Sequence, residues 1–364
     1  MSHASNSLKQ LALQKFKKDF WGVFSFGFIL LVGVVSVFAY LFAPDNSQYA
    51  NQMHLAIHSK RPGFKVQMLA VPSQVKTNQS RFDAIFFGKK NTDTEIPISE
   101  YHIENQSLTY IEYASDGLKG VAKTINLNTF PNNNAEDFIE DKSFLFGTDK
   151  YGRDLLSRVL VGARISFFIG FVAVFISLLI GVFMGSIAGY FGGKVDAVIM
   201  WIINVTWSIP TLLLVIAITL ALGKGFWQVF IAVGLTMWVE VARVVRGQII
   251  STKEMQYVTA ARALGFNDFR IITKHILPNI MAPVIVISAA NFAAAILIES
   301  GLSFLGIGAQ PPMASWGAMI KDHYNYIILG KPYLALIPGL CIMSLVMAFM
   351  LIGNALRDAL DVKS

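Results

Sequence analysis

The sequence is poor in charge. Only 15% of its 364 residues are Asp, Glu, Lys or Arg, whereas soluble domains carry about 25%. Hydrophobic residues make up 54%. This composition excludes a soluble protein and indicates a membrane protein. The formal net charge of +7 does not indicate nucleic-acid binding, because the basic residues flank apolar segments instead of forming a patch in a soluble domain.

Cysteine is almost missing, and a nucleotide-binding motif is missing altogether. The single cysteine, Cys341, lies in an apolar segment, which excludes an intrachain disulfide and a cysteine metal site. The sequence has no Gly-x-x-x-x-Gly-Lys-Ser/Thr motif, so the chain itself is not expected to hydrolyse ATP. His54 and His58 have the i, i+4 spacing of helical metal ligands, but we interpret them as solvated loop histidines. No catalytic, metal or cofactor site is therefore expected.

Long apolar runs dominate the rest of the chain, and six of them reach the roughly 20 residues that a spanning helix needs. They cover residues 21–43, 165–191, 197–222, 226–246, 278–298 and 333–356. The first lacks a clear small-x-small cleavage site, which favours an uncleaved anchor over a signal peptide. Pro210 predicts a kink or discontinuity in the third run. Glu240 and Arg243 interrupt the fourth run near its end and are expected to pair there.

Basic residues are unevenly distributed between the short loops, and this bias gives the orientation of the chain. Four lysines in the N-terminal tail and further Lys and Arg residues in the loop 246–278 place both segments in the cytoplasm. The long polar segment 44–164 is then outside. Alternating runs at 64–69 and 107–113 predict strands within it. We expect residues 50–143 to form a β-containing unit that docks on the outer face.

Two further helical segments are predicted, one before the second span and one between the fourth and fifth spans. Thr148 or Asp149 can cap a helix, and the apolar residues at 155, 156, 159 and 160 form a stripe, which predicts an interfacial amphipathic helix. In the loop between the fourth and fifth spans, Ala260, Ala261 and Gly265 fall on adjacent turns of one helix. This spacing predicts a flat surface that another protein's backbone can approach. Gly265 is expected to stop that helix, and Asn267 or Asp268 to cap the next one.

This loop resembles the EAA loop of ABC-importer permeases, whose motif is Glu-Ala-Ala, three residues, Gly, nine residues, Ile-x-Leu-Pro. The spacing is kept, with Thr259 in place of Glu and His275 in place of Ile. Other segments are similar to the second permease subunit of dipeptide/oligopeptide/nickel importers. They are Gly147-Thr148-Asp149, Gly152-Arg153-Asp154, Gly162-Ala163-Arg164, Arg246-Gly247-Gln248, Glu299-Ser300-Gly301-Leu302-Ser303-Phe304-Leu305-Gly306 and Ala355-Leu356-Arg357-Asp358-Ala359-Leu360.

The resemblance implies an all-α polytopic membrane protein of the bacterial inner membrane, a type-I ABC importer permease with six transmembrane helices. Its parts would be a cytoplasmic tail (1–20), the first transmembrane helix (21–43), a β-containing extracytoplasmic insertion (44–145) and the permease core (146–364). It also implies ATP-driven uptake of peptides, with nickel or peptide-like antibiotics as alternative substrates. The implied partners are a second permease subunit, two ABC ATPase subunits and an extracytoplasmic solute-binding protein, all acting at the lipid bilayer.

The resemblance also implies which residues couple the chain to the ATPases, within residues 254–278 of the loop. They are Tyr257, Thr259, Ala260, Ala261, Gly265, His275, Leu277 and Pro278. Polar residues inside spans are costly and often functional, so some are candidates for the translocation path. They are Asn204, Ser208, Pro210, Asn291 and Glu299. Helix–helix hydrogen bonding is the alternative for these residues, and the alanine-rich run 289–295 is expected to pack closely against another span.

Two other functional classes explain less of the sequence. An ion-coupled secondary transporter or channel predicts carboxylates inside the membrane or an inverted repeat. Neither is recognised, because Glu240 and Glu299 are assigned to span ends. A membrane-anchored binding or sensor protein, with the insertion as its active part, leaves the cytoplasmic loop and five further spans unexplained.

Overall fold

The computed structural model describes residues 8–73, 79–90, 93–104, 106–114, 119–223 and 225–361. Its α-helices are α1 (Leu8–Lys18), α2 (Phe20–Val37), α3 (Ala39–Phe42), α4 (Arg81–Phe87), α5 (Leu155–Phe191), α6 (Gly193–Ser208), α7 (Thr211–Leu222), α8 (Phe226–Thr252), α9 (Gln256–Ala263), α10 (Asp268–Arg270), α11 (Met281–Phe304), α12 (Trp316–His323) and α13 (Tyr333–Leu360). Its strands are β1 (Phe64–Val71), β2 (Thr94–Glu104), β3 (Ser107–Glu112), β4 (Ala122–Asn126) and β5 (Ile139–Phe144).

Among the described residues, five helices are long and apolar enough to cross a membrane: α2, α5, α8, α11 and α13. The pair α6 and α7 passes the same test together but is bent by 93°. Counted as one broken span, the pair brings the crossings to the predicted six. The break is at Ile209 and Pro210, where both residues have extended backbone. Proline lacks the N–H that would continue the helical ladder, so the predicted discontinuity is confirmed.

The fourth span is longer than its apolar run. The sequence placed Glu240 near the end of the fourth span. Helix α8 ends at Thr252, so Glu240 is instead near the middle of a 27-residue helix. The expected pairing of Glu240 with Arg243 is also wrong. The Nη2 of Arg243 donates to Asn204 Oδ1 at 2.8 Å, and its guanidinium lies 3.7 Å from the centroid of the Trp207 ring.

The chain divides into two compact units, and α5 and α13 each contribute to both. One unit comprises residues 1–33, 166–310 and 341–364, and the other comprises residues 34–165 and 311–340. The first contains most of the spanning helices, and the second contains the β-sheet. Each is described by itself below.

In the first unit, α5 and α8 approach closely through glycine. Gly181, Gly185 and Gly189 recur every fourth residue and share one face of α5. A Cβ atom on Gly185 would lie 2.5 Å from the carbonyl oxygen of Ala242, and one on Gly181 would lie 2.5 Å from Val241 Cβ. Small residues at this spacing are the usual means of close helix contact in a membrane. The spacing of the three glycines is a signal for this contact that the sequence carries.

The alanine-rich run 289–295 packs on this chain's own helices. The ring of Phe292 stacks on Phe349 of α13 with centroids 4.0 Å apart. A Cβ atom on Gly353 of α13 would lie 3.3 Å from Ala289 Cβ. The expected close contact with another span is therefore made within the chain.

In the second unit, the strands form one antiparallel sheet in the order β4-β3-β2-β1-β5. Strands β1 and β3 confirm the predictions at 64–69 and 107–113. Alternation along β1 covers both faces of the sheet, since Leu69 packs with Ile98 and Leu108 on one side. Val66 and Met68 pack with further apolar residues on the other side.

The sheet is attached to other segments of its own unit. The hydroxyl of Tyr333, the first residue of α13, donates to the carbonyl oxygens of Ser59 and Lys60 at 3.1 and 2.7 Å. Arg164 of α5 donates to the carbonyl oxygen of Phe86 at 2.5 Å. These bonds join the segment around the sheet to two spanning helices, α13 at its first residue and α5 at its third turn.

The segment before the second span differs from the prediction. Helix α5 begins at Leu155, and Asp154 caps it by accepting from the backbone N–H of Ser157 at 2.8 Å. Thr148 and Asp149 do not cap it, and the first turns of α5 are buried instead of lying at a membrane interface. The reason is that the polar groups of this segment have internal partners. Asp149 accepts from the backbone N–H groups of Tyr151 and Arg153, at 2.8 and 3.0 Å.

Two arginines complete this buried arrangement. The Nε of Arg153 donates to Asp149 Oδ2 at 2.7 Å, and Arg158 donates to the carbonyl oxygens of Tyr49 and Ala50 at 3.3 and 3.4 Å. Burial would be costly for an unpaired charge, but the Asp149 carboxylate and the two carbonyls offset the cost. The segment predicted as an interfacial amphipathic helix is therefore the buried start of α5.

The two histidines with metal-ligand spacing do not form a pair on a helix. They flank the 3-10 turn Leu55–Ile57. His58 is exposed, as interpreted from the sequence, but His54 is buried, which the sequence did not predict. Burial lowers the pKa of His54, although the Glu95 carboxylate, 3.7 Å away, acts in the opposite direction.

Candidate coupling loop and translocation cavity

The loop between α8 and α11 is folded throughout. Helix α9 ends at Ala263, and Gly265 then has φ of +80°, a conformation that glycine adopts at little cost. The N–H of Phe266 bonds the carbonyl of Ala261 at 3.2 Å, the 6→1 bond of a glycine-terminated helix. Asn267 caps α10 by accepting from the N–H of Arg270 at 2.8 Å. The predicted helix stop is confirmed, and Asn267 is the cap of the two candidates.

The remainder of the loop returns to the next span through tight turns. Residues Ile271–Ile276 form a π-helix, and Leu277–Asn279 form a 3-10 turn that leads into α11. Pro278 occupies an early position of that turn, where a missing N–H costs nothing. Leu277 is partly buried against the apolar cluster under the loop, and Pro278 is exposed. The predicted coupling residues therefore lie in the first helix and in the return segment of one loop that is folded throughout.

The flat surface predicted from Ala260, Ala261 and Gly265 is not present as one face. Ala261 is buried together with Val258 in the cluster that contains Ile271 and Ile276. Ala260 and Gly265 are exposed. The spacing from 258 to 261 places both side chains on the inner face of α9, so the chain's own core occupies the side that the sequence had assigned to a partner.

An exposed apolar surface on the loop takes the place of that flat face. Leu264 is 74% exposed and Phe269 is 76% exposed, and Met255 and Tyr257 are also exposed. Thr259 lies on the same outer side of α9. Large apolar side chains that stay uncovered in a cluster are typical of a protein–protein contact.

Polar contacts hold the loop to the helices beneath it. The hydroxyl of Tyr190, at the end of α5, donates to Asp268 Oδ1 at 2.7 Å. Lys253 Nζ donates to the carbonyl oxygen of Gly189 at 3.2 Å. Arg246 and Asp196 form a bidentate ion pair between α8 and α6, with distances of 2.5 and 2.6 Å. Such forked pairs fix geometry as well as charge.

His275 stabilises the loop internally. Its ring stacks on Phe266 with centroids 5.6 Å apart and planes 14° apart, and the guanidinium of Arg270 lies 4.2 Å from the Phe266 ring. The Nδ2 of Asn279 donates to the carbonyl oxygen of His275 at 2.6 Å and to the Tyr257 hydroxyl at 3.3 Å. His275, which occupies the Ile position of the motif, therefore packs on Phe266 through the face of its ring.

A cavity of about 220 Å³ opens at the break between α6 and α7. Its walls come from α6, α7, α8, α11 and the break itself. The lining residues are Thr206, Trp207, Ile209, Thr211, Leu214, Thr236, Met237, Val239, Glu240, Ala294 and Ile298. A broken helix beside a cavity is where non-helical backbone is tolerated at membrane depth.

The five predicted path residues do not line this cavity together. Asn204 accepts the hydrogen bond from Arg243, Ser208 donates to the carbonyl oxygen of Val205 at 2.8 Å, and Pro210 is at the break. The first two are exposed and adjoin residues that line the cavity. Sequence reasoning missed Glu240 as a lining residue, because it ended the span at 246.

Asn291 and Glu299 are both buried within the chain. The Ser303 hydroxyl donates to Glu299 Oε1 at 2.7 Å and accepts from the N–H of Ala309 at 3.2 Å. Glu299 thereby helps to hold the turn that follows α11. This contact agrees with the helix-bonding alternative that the sequence left open for Glu299.

Comparison with known proteins gives the family of the chain. A model of the family described as binding-protein-dependent transport system inner membrane component matches residues 181–363, which is half of the chain. The chain belongs to this family. The predicted resemblance is confirmed: the protein is a multi-pass inner-membrane permease of an ABC importer, a transport component and not an enzyme.

Similar permeases are known from several bacteria. The dipeptide transport system permease protein DppC of Bacillus subtilis is 44% identical over 218 residues, which are 60% of this chain and 68% of that protein. The oligopeptide transport system permease protein OppC of Bacillus subtilis is 42% identical over 222 residues, 61% and 72% of the two chains. The glutathione transport system permease protein GsiD of Pectobacterium atrosepticum is 40% identical over 217 residues, 60% and 72%.

Among solved structures, the permease is similar to a chain of the MetNI methionine ABC transporter in an inward-facing conformation. The TM-score is 0.47 and the sequence identity 18%, over 56% of this chain and 95% of that chain.

Proposed function

We propose that this permease forms one half of the translocation path of an ATP-driven importer of peptides. The observation that carries the proposal is the identity of 40–44% with permeases named for dipeptides, oligopeptides and glutathione, itself a peptide. The other half of the path is a second, similar permease. Two ABC ATPase subunits and an extracytoplasmic solute-binding protein complete the complex.

The loop 246–278 is the surface that receives force from an ATPase. A permease without its own P-loop must be moved from outside, and the exposed apolar side chains of the loop suit a groove on a soluble partner. The contacts of Tyr190, Lys253 and Arg246 with the helices below suit a rigid protrusion. Of the predicted coupling residues, Tyr257, Thr259, Ala260 and Gly265 would meet the ATPase.

The remaining coupling residues have supporting roles in this proposal. Ala261 fixes α9 on the chain's own core, and His275 and Leu277 hold the return segment in place. Pro278 lies on the exposed side of the 3-10 turn. A push on α9 would then be passed to α11, because both ends of the loop are packed on one apolar cluster.

The path runs along the broken third span. Asn204, Ser208 and Pro210 are at the break, beside the cavity, and their polar groups lie where a substrate would pass. Asn291 and Glu299 are buried, so their role in the path requires that helix movement exposes them during alternating access. Residues 1–20 and 246–278 would face the cytoplasm, and the insertion 44–145 would face the binding protein.

Glu240 is a carboxylate near the middle of a helix that is long and apolar enough to span a membrane, and such a residue is expected of an ion-coupled transporter. Membership of the binding-protein-dependent transport family nevertheless favours ATP-driven transport. The carboxylate therefore calls for a role within the ATP-driven cycle.

Uptake by the reconstituted complex tests the proposal. The permease is purified with its partner subunits in mild detergent and placed in proteoliposomes, and uptake of a labelled tripeptide is followed. Uptake should require ATP, the binding protein and stoichiometric ATPase subunits. Uptake driven by an ion gradient without ATP, or purification of the permease without ATPases, contradicts the proposal.

A further inference from the structure

Glu240 is a polar residue of the cavity wall that has no role in the importer function proposed above. It lies near the middle of α8, is exposed, and lines the cavity at the α6–α7 break. A carboxylate at this depth costs about 2.5–3.5 kcal/mol or more if it faces lipid. A residue with that cost is expected to face water, a partner group or a substrate.

No cation of the described part of the chain forms an ion pair with Glu240. Arg243 follows one turn later on α8, but its guanidinium is held by Asn204 and by the ring of Trp207. Arg243 is also not among the residues that line the cavity. The carboxylate therefore remains available to a group that enters from outside the chain.

The other polar groups of the cavity wall show which kind of group would fit. The hydroxyl of Thr206 donates to the carbonyl oxygen of Ile202 at 2.9 Å, and the hydroxyl of Thr236 donates to that of Val233 at 2.9 Å. Both hydroxyl protons are used inside their own helices, so both oxygens face a ligand only as acceptors. Together with the Glu240 carboxylate they form a set of acceptors with negative charge on the α6 and α8 side of the cavity. The Trp207 indole N–H and the Thr211 hydroxyl, which also line the cavity, can donate.

An ammonium group has three donors and no acceptor, and it is the complement of such a wall. The cavity of about 220 Å³ is smaller than the roughly 300–1,000 Å³ of sites that enclose a drug-sized ligand. It therefore suits one end of an extended substrate better than a whole molecule.

We propose that Glu240 binds the α-ammonium group of a peptide as it passes the break in the third span, with Thr206 and Thr236 as further acceptors. The inference rests on the proposed peptide function and adds a specificity-determining residue to it. The carboxylate selects substrates with a free amino terminus, because an acetylated one carries no charged donor for it.

Paired substrates test this role. Uptake of a tripeptide and of its N-acetyl derivative is compared in proteoliposomes that contain wild-type, Glu240→Gln or Glu240→Asp permease with the same binding protein. Glu240→Gln should lower the ratio of free to acetylated peptide uptake about tenfold or more, the size of a hydrogen bond to a charged group. Glu240→Asp should keep much of the ratio. Asp358→Asn, an exposed change near the end of α13, should leave it unaltered.

A charge-rescue experiment needs only the free peptide. Glu240→Cys is made in a Cys341→Ser background and treated with an anionic sulfonatoethyl or a cationic trimethylammonium-ethyl methanethiosulfonate. The anionic reagent should restore uptake and the cationic reagent should not. The Cys341→Ser complex, treated in the same way, controls for cysteines of the partner subunits.

The outcomes separate the two proposals. Wild-type complex that takes up no peptide refutes the peptide function and this inference with it. Wild-type uptake with an unchanged ratio in Glu240→Gln refutes the inference alone. An equal loss for both substrates, or equal rescue by both reagents, also overturns it and assigns Glu240 to contact with the second permease.

Discussion

The hydroxyl of Tyr190 donates to the carboxylate of Asp268 across 2.7 Å, and this bond ties the end of the second spanning helix to the coupling loop. Arg262 extends the contact, because its guanidinium lies 5.9 Å from the centroid of the Tyr190 ring. The two residues are 78 positions apart in the chain. The bond therefore gives a direct mechanical connection between the loop proposed to meet an ATPase and a helix that is long and apolar enough to cross the membrane.

Tyr190→Phe should weaken this connection without removing the ring. A hydrogen bond to a charged group contributes about 1.5–3 kcal/mol, so we expect uptake to fall several-fold while ATP hydrolysis by the complex is kept. The measurement is the ratio of peptide transported to ATP hydrolysed. Phe191→Leu, a change at an exposed neighbouring residue, is the control, and an unchanged ratio in Tyr190→Phe would show that the bond carries no force.

Gly265→Trp should abolish uptake while the permease still inserts in the membrane. A Cβ atom at this position meets nothing within the chain, so the ring would project into the space where an ATPase would bind. The measurement is uptake together with co-purification of the ATPase subunits. Normal uptake with the tryptophan in place contradicts the coupling role.

The control for this change must separate bulk from backbone strain. Gly265 has φ of +80°, and a non-glycine residue in the left-handed region costs about 1–2 kcal/mol. Asparagine tolerates this region best among the other residues. Gly265→Asn should therefore retain most of the uptake, and a loss as complete as with tryptophan would assign the effect to the backbone.

Gly185→Leu should destabilise the membrane unit. The added side chain would overlap the backbone of α8, since even a Cβ atom would lie 2.5 Å from the carbonyl oxygen of Ala242. Overpacking of this kind typically costs about 1–3 kcal/mol. Gly27→Leu in α2 is the matched control, because a Cβ atom there meets nothing within 4 Å. The check is the melting temperature in detergent, and equal values for the two variants would contradict close helix packing.

Hydropathy and turn chemistry predicted the features that depend on local sequence. A spanning helix needs about 20 apolar residues, so averaging over that length found each crossing even where its ends were misplaced. Pro210 and Gly265 act through their own backbones, as a missing N–H and as a positive φ, and both effects were predictable. The short segments that resemble the permease family led to the correct family for the same reason, because each of them is a continuous stretch of sequence.

The errors concern which side of an element faces the chain's own core. Ala261 shares a helix with Ala260, and spacing alone does not tell which of them the rest of the chain covers. The start of α5 was predicted as an interfacial helix, and its burial was not predictable, because the partners of Arg158, the carbonyls of Tyr49 and Ala50, are more than 100 residues away. Glu240 was placed at a span end because the charge at Arg246 ended the apolar run, whereas the helix continues to Thr252.

The orientation of the chain can be tested by labelling single cysteines in intact cells. Lys274→Cys and Glu136→Cys, each in a Cys341→Ser background, place exposed thiols in the coupling loop and in the insertion. An impermeant maleimide should label position 136 from outside and position 274 only after the membrane is opened. Labelling of position 274 in intact cells would reverse the orientation derived from the basic loops.

The insertion should be removable without loss of the permease core. Strands β1 and β5 begin and end beside each other, since Phe64 pairs with Phe144 and the N–H of Gly63 bonds the carbonyl oxygens of Phe144 and Leu145 at 2.9 and 3.2 Å. A short Gly-Ser link can therefore replace residues 64–144.

This deletion is sharper than removal of residues 50–143, because it keeps the carbonyls that bind Arg158 and Tyr333. It removes the Phe86 carbonyl that accepts from Arg164 and uncovers Ile57, which packs on Val66 and Met68, so a loss of thermal stability is expected. The shortened permease should still assemble with its ATPases but lose most of the stimulation of ATP hydrolysis by the binding protein. Full stimulation would exclude the insertion as a docking surface. A random-coil circular dichroism spectrum of the isolated segment 64–144 would show that the sheet depends on the rest of its unit to fold.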